Sequence, residues 1–195
     1  MALHYLVDME KKNISVKNIL LFIIIVLLII PQTRQQIQIV LNKGMAMISP
    51  SIENTGRSVQ ISSYDWELKD LNGNVFNLNN SKGRVVLINI WATWCPPCIA
   101  EMPSLNNLNN DYKDKIDIIL VSNEDQKVIK TFLDKNNYNF EVFTPIKQAP
   151  KTFTVNSIPR TFLIDKKGDI IIDESGAANW NSSKVRQTID NLLKV

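Results

Sequence analysis

The chain has 195 residues, 45% of them hydrophobic, with 22 basic and 19 acidic residues and a formal net charge of +3. That suits one folded domain with appendages, and the scattered basic residues exclude the clustered stripe of a nucleic-acid binder. Two cysteines and one histidine supply too few ligands for a structural zinc site.

Ile19 to Ile30 is an unbroken apolar run, preceded by Lys11, Lys12 and Lys17. It is short against the roughly 20 residues of a bilayer span, but Val16 to Gln32 reaches further if Lys17 snorkels to the headgroups. The reading is a membrane anchor over 16–32 behind a cytoplasmic segment 1–15, with a cleaved signal as the competitor. The lysines place the remainder outside the cytoplasm, where disulfides persist.

Residues 33–61 read as a linker, with Ser49-Pro50-Ser51 and Asn54-Thr55-Gly56 as its loop signals. Ile37, Val40, Leu41, Gly44 and Ile48 recur within it at helical spacing. That stretch is read either as a mere tether or as a helix on the membrane or continuing the anchor.

A globular pattern fills 62–195. Asn72-Gly73 marks a hairpin between Asp65–Asp70 and Val75–Leu78. The run from Arg84 to Trp91 reads as a strand buried on both faces. A helix follows from about Pro97 to Tyr112, then a strand over Ile116–Ser122 and a helix over Gln126–Lys135. A short strand over Phe140–Phe143, a hairpin around Lys167-Gly168 and a helix over Ser182–Leu193 complete an α/β sandwich with a mixed sheet.

Cys95 and Cys98 stand in Trp-Ala-Thr-Trp-Cys-Pro-Pro-Cys, where the buried strand gives way to a helix. A bridge between them closes almost no loop, so a structural staple gains little. Redox exchange suits them better. The prolines fit the first helical turn, and a Cys95 thiolate there feels the positive end of the helix dipole. Cys98 lies one turn on, within bonding reach. Cys95 is therefore the expected exposed nucleophile and Cys98 the resolving thiol.

Pro96 and Pro97 have no N–H, so two backbone donors that could stabilise the Cys95 thiolate are missing, and no histidine lies nearby. The expectation is a modest pKa depression and a reducing potential. Glu101, three residues past Cys98, has two readings: a proton-handling group, or a solvated glutamate favoured by the dipole.

VVLINIWATWCPPC (85–98), CIAEMPSL (98–105) and SIPRTFLIDKKG (157–168) together resemble the thioredoxin-fold, membrane-anchored TlpA/ResA/CcmG-type thiol–disulfide oxidoreductases. The resemblance covers about Ser62 to Leu193. It implies a thioredoxin-like fold carrying an N-terminal β-hairpin extension. It also implies a cis Pro159 facing the disulfide, with Ile158 offering its backbone to an extended substrate and Trp94 forming an apolar docking rim. Pro103 matches the helix-kinking proline. Asn89 stands where thioredoxin keeps a buried aspartate.

The implied function is reduction of protein disulfides on the outer side of a bacterial inner membrane, with no cofactor beyond the cysteine pair. Apocytochrome c is one implied substrate, and a carrier of the DsbD/CcdA kind the implied electron donor. The rivals are a DsbA-like oxidase, a thiol peroxidase and a copper-binding assembly factor. Ile88 stands where a peroxiredoxin-type peroxidase has a proline, and no histidine follows His4 to serve a copper site.

Overall fold

A computed structural model describes residues 16–51 and 59–194. The expected cytoplasmic segment 1–15 and the loop signal at Asn54-Thr55-Gly56 lie outside the described residues.

The apolar run forms helix α1 (Val16–Ile29), and a second helix, α2 (Pro31–Met45), begins on a proline. Pro31 has no N–H to donate, which suits a first helical position. The Thr33 hydroxyl donates to the Leu27 and Ile30 carbonyls at 2.6 and 2.9 Å. The amphipathic stretch read as tether or helix is thus largely helical. At about 1.5 Å per residue, α1 covers about 21 Å of the roughly 30 Å hydrocarbon core. No helix among the described residues is long and apolar enough to cross a membrane.

The residues from Gln38 onward form a separate unit built on an eight-stranded sheet. The strands are β1 (Val59–Gln60), β2 (Glu67–Asp70), β3 (Val75–Asn77), β4 (Val86–Ile90), β5 (Asp117–Val121), β6 (Val142–Pro145), β7 (Arg160–Ile164) and β8 (Asp169–Ser175). Their order is β1-β8-β7-β4-β5-β6-β2-β3. Strands β4, β5 and β6 run parallel, and the other pairings are antiparallel, so the sheet is mixed. Helices α3 (Pro96–Tyr112) and α4 (Gln126–Asn136) cross over between the parallel strands, and α5 (Ser183–Lys194) closes the chain.

Both expected hairpins form. Gly73 and Gly168 occupy their turns at φ of 92° and 90°, a left-handed backbone that a Cβ disfavours. Strand β1 lies inside the stretch read as linker, pairing Val59 with Ile170 and Gln60 with Asp169. Two residues are too short to show periodicity, so only the pairing reveals it. The same stretch docks elsewhere: Asn179 N donates to Ile48 O at 2.8 Å, and Ser51 N to Glu174 Oε2 at 2.8 Å.

Alternation along the strands separates two cores. Leu87, Leu120, Leu163 and Ile172 face one way, packing with Met102, Leu105 and Leu108 of α3, Ile129 and Leu133 of α4, and Val185 and Ile189 of α5. Val86, Ile88, Ile119, Val121, Phe162 and Ile164 face the other, under Trp66, Leu78 and Phe153. Among the described residues that second core takes no buried residue from an α-helix; Leu78 and Phe153 come from short 3-10 helices. The same alternation turns Asn89 and Thr161, opposite each other in the β4–β7 register, towards α3.

Candidate active site

Strand β4 runs straight into the site. Trp91 N still pairs with Val121 O at 3.0 Å, and the chain then turns over Ala92–Cys95, with Cys95 N donating to Ala92 O at 3.2 Å. Cys95 is the N-cap of α3, in extended conformation, and the prolines take the next two positions. With both donors removed, the Cys98 amide reaches the Cys95 sulfur at 3.3 Å. Cys95 and Cys98 are joined as a disulfide with Cα atoms 5.2 Å apart.

The Ile158–Pro159 bond is cis, and the Ile158 carbonyl oxygen lies 3.7 Å from Cys95 Sγ. Gly176 N donates to Pro159 O at 3.0 Å, tying this loop to the segment after β8. Cys95 was expected to be exposed, but it is 2% exposed, and Cys98 is fully buried. The cause is packing: the Cys98 amide and the Ile158 carbonyl both lie against its sulfur. What projects is Trp94, 64% exposed beside the buried disulfide. Trp91 is core, packed on Phe132 with ring centroids 5.3 Å apart.

Glu101 is fully buried, which removes the solvated reading. Its Oε1 accepts from Asn89 Nδ2 at 2.8 Å. Its Oε2 accepts from Trp180 Nε1 at 2.9 Å and from the Ala178 amide at 3.2 Å. Asn89 Nδ2 also donates to Thr161 Oγ1 at 2.7 Å. Burial disfavours the carboxylate strongly; donation from Trp180, Asn89 and Ala178 pulls the other way, and the Glu174 charge adds a smaller push upward. The outcome is a pKa raised to about 7. Glu101 therefore holds or gives up its proton near neutral pH, one helical turn past Cys98, where i and i+3 side chains are neighbours.

The site thus gathers Trp94 and Cys95 from the turn after β4, Cys98 and Glu101 from α3, and Ile158 and Pro159 from the turn before β7. Sequence reasoning did not single out Thr161 and Trp180, which complete the glutamate's surroundings. Trp180 comes from 79 residues along the chain and carries no local motif. Among the described residues no group of three or more His, Cys, Asp or Glu side chains is placed to hold a metal ion.

Comparison with known proteins agrees with this geometry. The Redoxin family model matches residues 46–192. Thioredoxin-like protein YneN of Bacillus subtilis is 32% identical over 130 residues, covering 65% of this chain and 75% of that protein. Thiol-disulfide oxidoreductase ResA of Bacillus cereus is 33% identical over 163 residues, covering 82% of this chain and 90% of that one. A solved structure described as thiol:disulfide interchange protein DsbE from Chlorobium tepidum superposes with a TM-score of 0.59 at 26% identity, over 70% of this chain and 99% of that one. With a cysteine pair at a helix N-terminus, the Ile158 carbonyl against it and these relatives, the chain belongs to the Redoxin family and, within it, to the thioredoxin-fold TlpA/ResA/CcmG group.

Proposed function

We propose that the protein is an extracytoplasmic thiol–disulfide oxidoreductase that reduces protein disulfides through Cys95 and Cys98. The observation that carries this reading is the Cys95–Cys98 disulfide at the N-terminus of α3, with the cis Ile158–Pro159 carbonyl against its first sulfur. In the reduced protein the Cys95 thiolate attacks one sulfur of a substrate disulfide. That S–S bond breaks, and the departing substrate sulfur takes a proton. Cys98 then loses its proton, with Glu101 as the acceptor, and attacks Cys95 Sγ. The second substrate thiol leaves, and two electrons have passed from the dithiol to the substrate.

Trp94 and the Ile158 backbone are the docking surface for the substrate segment. Reduced full-length protein mixed with excess of a peptide disulfide should consume one equivalent and finish as the Cys95–Cys98 disulfide. Finding no consumption would remove the reading.

Pro96 and Pro97 offer no amide, and the Cys98 amide is the backbone donor that reaches the Cys95 sulfur, which supports the reducing direction over a DsbA-like oxidase. The oxidised pair then needs a dithiol to recharge it, and a membrane carrier of the DsbD/CcdA kind is the proposed donor. The family resemblance supports apocytochrome c cysteines among the substrates.

Residues 16–32 are the proposed anchor, with 33–61 leading to the redox domain at 62–195. The support is the apolar surface of α1 that is exposed among the described residues, to which Val16, Ile19 to Leu27 and Ile29 contribute. The full chain is expected in the membrane pellet after carbonate extraction, and a version lacking 16–32 in the supernatant. Release of the full chain by carbonate would exclude the anchor.

A further inference from the structure

The turn that presents the site is gripped from outside. Ala92–Cys95 closes on itself through the Cys95 amide, with Thr93 and Trp94 at its two central positions. Glu124, in the loop between β5 and α4, reaches Thr93 with both carboxylate oxygens. Thr93 N donates to Oε2 at 2.6 Å, and Thr93 Oγ1 donates to Oε1 at 2.7 Å. The buried Ser122 hydroxyl lies 3.2 Å from Oε2 and 3.3 Å from Glu124 N, holding the carboxylate from its own side. Hydrogen bonds to an ionised acceptor are among the stronger ones available, and a two-point grip also fixes direction. The strand pairing behind it is continuous, with Trp91 N on Val121 O and Ser122 N on Phe143 O.

We propose that Glu124 is a positioning residue for disulfide exchange. Its carboxylate clamps the Ala92–Cys95 turn so that Trp94 and Cys95 meet a polypeptide disulfide in one fixed relation. The assignment rests on the exchange reading above. Trp94, 64% exposed, is the part of the turn a polypeptide partner meets first, and Cys95 follows one residue later. A loosened turn would spoil the docking of a large substrate, whereas a small disulfide needs only the thiolate. Glutamine can keep the clamp without the charge: its oxygen accepts from Thr93 N, and its amide N–H donates to Thr93 Oγ1. Alanine loses both bonds.

The test uses reduced full-length protein in a mild detergent, with stopped-flow rates for two oxidants. One is a peptide carrying an intramolecular Cys-x-x-Cys disulfide, and the other is 5,5′-dithiobis(2-nitrobenzoate). Glu124→Ala is expected to slow the peptide reaction by about tenfold or more, as small misplacements of reacting groups do, and the small disulfide by under about threefold. Glu124→Gln is expected to restore the peptide rate to within about threefold of wild type. An unchanged peptide rate in Glu124→Ala would overturn the proposal. So would an equal fall for both oxidants accompanied by a lower Tm, or a glutamine variant as slow as alanine. A wild-type protein inert towards the peptide but reactive with the small disulfide would defeat the exchange reading itself, and this assignment with it.

Discussion

With Cys98 replaced by alanine, the reduced protein is expected to stall as a covalent complex with its substrate. Cys95 still attacks, because its sulfur keeps the helix N-terminus and the Cys98 position still offers a backbone amide. The resolving sulfur is gone, so the mixed disulfide has no intramolecular exit. Non-reducing electrophoresis should show one dithiothreitol-sensitive adduct per chain, and release of the second substrate thiol should fall by several orders of magnitude, the scale of losing a nucleophile. Cys95→Ser should form no adduct at all. If Cys95→Ser, rather than Cys98→Ala, accumulated the adduct, the two roles would be reversed. The same Cys98→Ala chain, expressed in its own membranes, is the direct way to capture the natural partner.

The second large effect concerns Glu101. In the unfolded chain its carboxyl releases its proton near 4.5, while in the folded protein it holds it to about 7. Between those values the folded state binds the extra proton, so stability falls as pH rises, and the loss is complete above about 7. At 1.36 kcal/mol per pH unit the difference amounts to about 3 kcal/mol. Glu101→Gln removes the charge while keeping the shape. Its amide can face Asn89 Oδ1, buried without a partner among the described residues, once the Asn89 side chain turns over. The variant is therefore expected to unfold at higher denaturant than wild type at pH 8 and to match it near pH 5. In kinetics it should lose the rate change near pH 7 in resolution of the mixed disulfide, and resolve more slowly by about a hundredfold, the usual contribution of a general base. Parallel stability curves for the two proteins from pH 5 to 8 would show that Glu101 does not titrate there.

Much of the fold was readable because the strands are short apolar runs punctuated by Asn72-Gly73 and Lys167-Gly168, whose glycines sit at positive φ. The cysteine pair and the cis-proline were readable because each stands in a distinctive local string. Other features had no local signature. Glu101 lies at helical spacing from Cys98, but its burial depends on Trp180 and Ala178, which arrive from the far end of the chain. Cys95 reads as exposed from its place at a helix start, yet the Ile158 carbonyl packs against it from 63 residues away. Strand β1 and the docking of Ile48 and Ser51 sit in sequence that looks like linker, because pairing partners supply what the segment itself lacks. Glu124 is one acidic residue among several until Thr93 is placed against it.

The reducing direction rests on a local count of donors: two prolines remove two amides, leaving the Cys98 amide at 3.3 Å from the Cys95 sulfur. Equilibrating the full-length protein in glutathione or dithiothreitol buffers measures its reduction potential and tests that claim most directly. A value near or below about −230 mV, with the thioredoxin-like reductants, is the expected result. A value near about −120 mV, where strong oxidants lie, would contradict the account and make the protein a source of disulfides rather than their reductant.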